Sequence, residues 1–247
     1  MTRTIDIRDA DLVAWSAQTI TDYVAESLRL RGRMTLVLAG GSTPREVYAL
    51  LATEHFRARV DWEKIMVFWG DERCVAPDHP ESNYRMAREA MLAHVPIPDS
   101  HIFRIRSELT PEEAAQDYED TIRRQLNVRE GAFPRFDLVL LGLGEDGHTA
   151  SLFPDTTGLR EEQRLVTSLY VRRLNTHRIT MTFPTINSAA RVLFMVSGPG
   201  KSGIVQKVLE GSAELFPSQQ IKPDGDGLHW ILDREAAASL QHTTQKK

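Results

Sequence analysis

The segment between Gly142 and Ser151 carries the side chains that are best suited to chemistry. It reads Gly-Leu-Gly-Glu-Asp-Gly-His-Thr-Ala-Ser and follows the nearly uninterrupted apolar run 136–141. This run has strand length and branched residues, so it predicts a strand buried on both faces in the middle of a parallel sheet. Ligands of such sheets bind beyond the carboxyl ends of the strands. We therefore expect proton-transfer chemistry at this end of the sheet, where His148 lies with Asp146 beside it.

Three glycines of the same segment satisfy the dinucleotide-binding pattern G-x-G-x-x-G. They are Gly142, Gly144 and Gly147. That pattern binds a pyrophosphate where a helix begins straight after the third glycine. Here Pro154 follows seven residues after Gly147, and the residues between them show no helical apolar stripe. The sequence therefore disfavours a nucleotide site.

A second candidate site is the turn 40–43, which follows the apolar run 34–39. It consists of Gly40, Gly41, Ser42 and Thr43. Thr43 and Glu46 have the spacing of a capping box, with Pro44 at the first helical position, so a helix is expected to follow. Glycines let the backbone approach a ligand, and a helix N-terminus attracts anions. The turn therefore predicts a phosphate site, although a tight turn that binds nothing would fit the same residues.

Three charged residues, Asp71, Glu72 and Arg73, follow the apolar run 65–69 after a single glycine. Charges at the end of a buried strand are costly unless they face one another or a ligand. A binding or catalytic site is therefore favoured over a solvated turn.

Strands alternate with helices along the chain, which predicts a mostly parallel α/β sheet with helices on both faces, in one domain over residues 1–247. Helices are expected over 11–30, after Pro44, up to about His94, after a capping box at Thr110, and over 202–210 and 235–240. Further strands are expected over 165–171, 178–183, 191–196 and 230–232. The last seven residues, QHTTQKK, are expected to fray.

Four polar clusters are then expected at strand ends. They are the turn 40–43, the charged run 71–73, the pair Asp146 and His148, and the pair Arg178 and Lys201. A ligand that touches all four would meet N–H groups, hydroxyls and two cations at one end, and a histidine with carboxylates at the other. Cations form strong charge-assisted hydrogen bonds with phosphate. The clusters therefore predict a small molecule with a phosphate and a reactive carbonyl.

Composition excludes several other classes of function. The 247 residues carry a net charge of -4 without a basic cluster, which argues against nucleic acids and membrane surfaces as partners. No apolar run approaches the roughly 20 residues of a membrane span. The single Cys74 excludes an intrachain disulfide, the first ten residues lack an apolar signal core, and the histidines form no metal-binding motif. We therefore expect a cytoplasmic globular protein without a metal site.

The polar clusters lie in longer stretches that resemble the 6-phosphogluconolactonase family. These stretches are LAGGSTP (38–44), FWGDER (68–73), ESNYRMA (81–87), LGLGEDGHTASLFP (141–154), RITMTFPTINSAARVLFMVSG (178–198) and LHWILDREAA (228–237). They span nearly the whole chain, and GEDGHTASLFP is especially specific. The resemblance implies a Rossmann-like fold shared with glucosamine-6-phosphate deaminases, no cofactor and no metal. It also implies hydrolysis of 6-phospho-D-glucono-1,5-lactone in the oxidative pentose phosphate pathway.

The resemblance further implies His148 as the catalytic base that takes a proton from the attacking water. Asp146 is close enough in sequence to orient its ring. Arg73 is expected near the substrate oxygens, where it stabilises the oxyanion or binds the phosphate, with Asp71 as a further catalytic residue. The residues expected to bind the substrate or its phosphate are Gly40, Gly41, Ser42, Thr43, Gly144, Arg178 and Lys201. A monomer or a weak homodimer is expected.

One stretch departs from the family pattern. Where relatives often have prolines and a lysine, this chain reads Val-Arg-Arg-Leu-Asn-Thr-His over 171–177. Arg172 or Arg173 is a candidate to replace the lysine. His177 is a candidate for a second catalytic histidine, although an exposed loop histidine needs no functional explanation.

Two other functions remain open for the same fold: a deaminase that acts on glucosamine 6-phosphate, and a sugar-phosphate sensor without activity. Deaminases resemble Ile-Ala-Phe-Asn-Glu-Pro after their histidine, whereas this chain reads Thr-Ala-Ser-Leu-Phe-Pro over 149–154. The acid of the deaminase pattern is therefore absent. The presence of His148, Asp146 and Arg73 together argues against a sensor.

Overall fold

The structure is a computed structural model that describes residues 3–8, 11–212 and 215–241. The predicted fraying of the chain end concerns mainly residues 242–247, which lie outside the described residues. Among the residues that are described, no helix has both the length and the apolar character needed to cross a bilayer.

Strands and helices alternate over most of the described chain. The strands are β1 (Arg3–Arg8), β2 (Met34–Leu38), β3 (Ile65–Trp69), β4 (Asp71–Arg73), β5 (Leu138–Leu141), β6 (Val166–Val171), β7 (Thr176–Met181), β8 (Val192–Val196) and β9 (Leu228–Asp233). The α-helices are α1 (Leu12–Arg31), α2 (Ser42–Leu51), α3 (Glu54–Arg57), α4 (Asn83–Ala87), α5 (Pro111–Leu126), α6 (Phe183–Asn187), α7 (Ser202–Glu210) and α8 (Arg234–Ala237).

The larger sheet has six strands in the order β1-β9-β8-β5-β2-β3, and every neighbouring pair is parallel. All residues of β2, β5 and β8 are buried, as near-continuous apolar strands require. The prediction that β5 is a central strand of a parallel sheet is confirmed, and so is the α/β fold class. Strand β1, at the edge of the sheet, was not expected from the sequence.

A second sheet, which the sequence did not predict, contains β4, β7 and β6 in antiparallel order. Gly70 joins the two sheets. Its N–H donates to the carbonyl of Leu38 at 3.0 Å, and its own carbonyl accepts from the N–H of Met181 at 2.8 Å. The chain therefore leaves the parallel sheet directly after β3, and the charged run 71–73 becomes a strand rather than a loop.

The boundaries of α1 and α5 follow local signals, whereas α2 needs a correction and α8 ends at Ala237, before the predicted Leu240. Helix α1 ends at Gly32, which has the left-handed φ of 69°, and α5 begins after Thr110, whose N–H and hydroxyl both donate to Glu113. The predicted capping box at Thr43 is wrong. Helix α2 begins at Ser42, two residues before the predicted start at Pro44, with Gly41 at the N-cap and no side-chain cap. The reason is that Gly41 adopts a φ of 108°, which places Thr43 inside the first turn.

Candidate active site

A cleft of about 280 Å³ opens where β2, β5 and β8 end. It contains most of the residues predicted from the sequence: Gly40, Gly41, Ser42, Thr43, Asp71, Arg73, Gly144, His148 and Lys201. The expectation that polar clusters from distant parts of the chain meet beyond the strand ends is therefore met for these residues. Asp146 and Arg178 are not among the lining residues, and each is described below with its own contacts.

The turn after β5 folds back on itself and brings His148 over Gly144. The N–H of Gly144 donates to the carbonyl of His148 at 2.8 Å, and the N–H of Gly147 donates to the carbonyl of Gly144 at 3.0 Å. A Cβ on Gly144 would lie 1.9 Å from Nδ1 of His148, so only glycine fits. No helix begins after Gly147, so the helix that a dinucleotide site requires after its third glycine is missing here.

His148 and Asp146 form a direct pair, with Nδ1 and Oδ1 2.5 Å apart. Partial burial raises the pKa of Asp146, but the hydrogen bond and charge of His148, followed by the charge of Arg173, lower it to about 2. Asp146 is therefore ionised and accepts the proton on Nδ1. This tautomer leaves Nε2 as the nitrogen that can take a proton from water.

Two aromatic and cationic contacts complete this end of the site. The ring of His148 stacks on Phe153 with 4.0 Å between centroids. Arg173 binds the other oxygen of Asp146 at 2.5 Å and lies 4.8 Å from the Phe153 ring centroid. Sequence reasoning named Arg173 only as an alternative to Arg172 and assigned no role to Phe153.

His177 lies in β7 with its ring 5.0 Å from that of Tyr170, and it is not among the residues that line the cleft.

Asp71 is buried in the wall of the cleft and accepts two side-chain hydrogen bonds. Ser151 donates its hydroxyl at 2.6 Å, and Asn83 donates its amide at 3.3 Å. Asn83 also lines the cleft, although sequence reasoning gave it no role. A signal existed, because Asn83 lies within the ESNYRMA stretch that resembles the family. A Cβ on Gly40 would lie 2.0 Å from Oδ1 of Asn83, so glycine is required for this close approach.

The anion-binding end is built from two strand-to-helix turns. Ser42 and Thr43 form the first turn of α2, where N–H groups have no intrahelical acceptor. The hydroxyls of Thr43 and Ser197 share a hydrogen bond of 2.7 Å, which ties the turn after β2 to the turn after β8. Lys201 follows in that second turn and lines the same cleft. Two N–H groups and an ammonium thus occur in one cleft, which favours an anion.

Arg178 lies directly opposite Arg73 in the pairing of β7 with β4. Its guanidinium donates to the hydroxyl of Thr176 and to the carbonyl of His177, both at 3.2 Å. Burial, and then the charge of Arg73, lower the pKa of Arg178. Of the two arginines, Arg73 is the one that lines the cleft. Like charges on paired strands repel, so this pair favours a nearby anion.

Comparison with known proteins assigns this chain to a family. The sequence profile described as "Glucosamine-6-phosphate isomerases/6-phosphogluconolactonase" matches residues 8–230. A 6-phosphogluconolactonase of Synechocystis is 42% identical over 225 residues, which cover 90% of this chain and 91% of the relative. A Nostoc protein of the same name is 41% identical over 93% of this chain and 94% of its own. The structure of 6-phosphogluconolactonase from Trypanosoma cruzi has a TM-score of 0.88 and 29% identity, over 98% of this chain and 99% of that chain. The chain therefore belongs to the glucosamine-6-phosphate isomerase and 6-phosphogluconolactonase family.

Proposed function

We propose that this chain hydrolyses 6-phospho-D-glucono-1,5-lactone to 6-phospho-D-gluconate, the second step of the oxidative pentose phosphate pathway. The observation that carries the proposal is the pairing of His148 with Asp146 at a cleft that also contains Lys201 and the N-terminus of α2. A general base and an anion site in one cleft suit a lactone that carries a phosphate. The 6-phosphogluconolactonase names of the relatives at 41% and 42% identity support the same activity.

In the proposed reaction, Asp146 holds the Nδ1 proton of His148, and Nε2 accepts a proton from water. The water oxygen bonds to the carbonyl carbon of the lactone, and an electron pair moves onto the carbonyl oxygen. When this tetrahedral intermediate collapses, the bond from the same carbon to the ring oxygen breaks. The ring oxygen then takes the proton from His148, so the products are a carboxylic acid and a hydroxyl, and the imidazole is neutral again.

Two groups of residues bind the rest of the substrate in this proposal. The N–H groups of Ser42 and Thr43 and the ammonium of Lys201 bind the phosphate, which converts remote binding energy into correct placement of the lactone over His148. Arg73 stabilises negative charge either on the carbonyl oxygen or on the phosphate, and Arg178 adds positive charge behind it. Asp71 fixes the cleft wall through Ser151 and Asn83. A cytoplasmic location and a single domain remain parts of the proposal.

The proposal predicts that His148→Ala loses about 10²- to 10⁴-fold in kcat with little change in KM, because the base is removed and the binding groups remain. The measurement follows acid release from freshly prepared 6-phosphogluconolactone above the spontaneous rate. His177→Ala is the matched control, since His177 is a histidine that does not line the cleft.

Three results would contradict the proposal. One is a wild-type protein that opens the lactone no faster than buffer does. Another is release of ammonia from glucosamine 6-phosphate with no lactone hydrolysis, which would indicate a deaminase. The third is a His148→Ala variant that keeps a third or more of the wild-type rate.

A further inference from the structure

Asp146 has a different partner on each carboxylate oxygen. Oδ1 meets Nδ1 of His148, and Oδ2 meets the guanidinium of Arg173, each at 2.5 Å. Asp146 and His148 belong to the same turn after β5, whereas Arg173 comes from the connection between β6 and β7. A residue from the loop that joins two strands of the antiparallel sheet therefore reaches the pair of groups that the proposed reaction uses for proton transfer.

The ring of Phe153 contacts both His148 and Arg173. His148 stacks on its ring at 4.0 Å, with 28° between the ring planes, and the guanidinium carbon of Arg173 lies 4.8 Å from its centroid. Phe153 itself is buried with Leu169 and Val171 in a small apolar cluster. Since Leu169 and Val171 belong to β6, this cluster fixes the position from which Arg173 extends.

We infer that Arg173 is a positioning residue for the pair Asp146 and His148. It holds the carboxylate so that one oxygen stays on Nδ1, and its positive charge opposes protonation of the imidazole. The inference rests on the proposed role of His148 as the base. It also gives a function to the part of the chain, 171–177, where the sequence departs from the family pattern.

The direction of the electrostatic effect follows from the charges around His148. Asp146 stabilises the imidazolium, and Arg173 opposes it by neutralising part of that carboxylate's charge. Asp71, Arg73 and Lys201 line the same cleft and are unchanged when Arg173 is replaced. When Arg173 is lost, the negative charge of Asp146 is fully available to stabilise the imidazolium. His148 should therefore stay protonated up to a higher pH.

The test compares four variants of the full chain. Arg173→Ala and Arg173→Gln should each lower kcat by roughly 2- to 5-fold, with KM within about twofold of wild type, because the guanidinium is half exposed. The midpoint of the acid limb of their pH–rate profiles should move up by about 0.5 to 1 pH unit. Arg173→Lys keeps the charge and should restore much of the pH profile. Arg172→Ala removes the same charge from the adjacent exposed arginine and should change neither quantity.

A second measurement separates this inference from the proposed activity. Imidazole ¹⁵N NMR follows the protonation of His148 without any substrate, and its midpoint should rise in Arg173→Ala and Arg173→Gln but not in Arg172→Ala. If wild type hydrolyses the lactone while the pH profile and the NMR titration of both Arg173 variants match it, the inference is overturned and the proposed function stands. If wild type is inactive on the lactone, the proposed function fails, and the NMR titration alone decides whether Arg173 acts on His148. Should Arg173→Ala melt early, the Gln and Lys variants carry the comparison.

Discussion

His148 has ring nitrogens in two different environments, and this difference defines the site at the scale of single residues. Nδ1 faces Asp146, whose pKa is lowered to about 2, so the carboxylate stays ionised well below neutral pH. The acid limb of the activity profile should therefore reflect protonation of the imidazole and not of Asp146. At the other end of the cleft, Lys201 and the first turn of α2 supply positive charge.

A prediction at this scale concerns Lys201. Lys201→Ala should lower kcat/KM for the phosphorylated lactone by roughly 10- to 150-fold, or about 1.5–3 kcal/mol, because a charge-assisted hydrogen bond to phosphate is lost. The loss should nearly vanish for unphosphorylated gluconolactone, which has nothing for the ammonium to hold. The measurement is a comparison of both proteins on both lactones, which cancels general damage to the fold.

Arg178→Ala and Arg73→Ala extend the same comparison. The sequence predicted Arg178 as a phosphate ligand, and a loss confined to the phosphorylated lactone would support that role. An equal loss on both lactones would instead make Arg178 structural.

For Arg73, an equal loss of Arg73→Ala on both lactones would indicate that Arg73 stabilises the oxyanion, since both substrates share the carbonyl. If Lys201→Ala lost activity equally on the two lactones, the phosphate would have to lie elsewhere.

At the scale of elements, the short strand β4 is tied to α4 by one buried carboxylate. Glu72 accepts hydrogen bonds from the N–H groups of Arg73, Asn83 and Tyr84 and from the hydroxyl of Ser82, at 2.8–3.0 Å. These bonds satisfy the N-terminus of α4 and place Asn83 and Arg73 in the cleft wall. The sequence predicted that the charged residues 71–73 face one another or a ligand, but it assigned no role to Glu72.

We predict that Glu72→Gln lowers the free energy of unfolding by about 2–4 kcal/mol, because an amide group would face N–H and O–H donors in a buried site. Urea unfolding of both proteins measures the change. Glu81→Gln makes the same substitution at an exposed position nearby and should change the free energy of unfolding by less than about 0.5 kcal/mol. Equal stabilities of wild type and Glu72→Gln would show that this carboxylate does not hold β4 to α4.

At the scale of the whole molecule, the two sheets share a nearly continuous apolar core. Its main cluster includes strands of the parallel sheet and also Val166, Ile179 and Met181 of the antiparallel sheet. In the described part of the chain, the large exposed apolar side chains are Trp15, Leu30, Tyr170, Leu174 and Leu215. They are distributed over α1, β6, the connection of β6 with β7, and a loop after α7. Scattered apolar residues of this kind do not indicate a large obligate interface.

The expected oligomeric state follows from this surface and stays a prediction. We expect light scattering at micromolar concentration to give a mass near the 27.9 kDa of one chain, or a weighted average that rises with concentration. Specific activity should be the same at nanomolar and micromolar enzyme, because the monomer is expected to be an active species. A dimer that persists at nanomolar concentration would contradict this expectation.

Local signals in the sequence were enough to predict the class of fold and most of the cleft. Strands β2, β5 and β8 were predicted because short apolar runs that end in glycine or a polar turn are local signals. The turn 40–43 and His148 could be placed at one edge of the sheet for the same reason, since parallel strands share a carboxyl end. The resemblance of the motifs to a known family then indicated the reaction.

The contacts between side chains of distant segments depend on how the folded chain packs. The sequence period of a strand does not specify its partner, so the antiparallel sheet and the placement of Arg178 opposite Arg73 could not be predicted. The contact of Arg173 with Asp146 joins the connection of β6 with β7 to the turn after β5, and Asn83 reaches the cleft because Glu72 holds α4 against β4. Contacts of this kind depend on how distant segments pack, and no local pattern of residues encodes that packing.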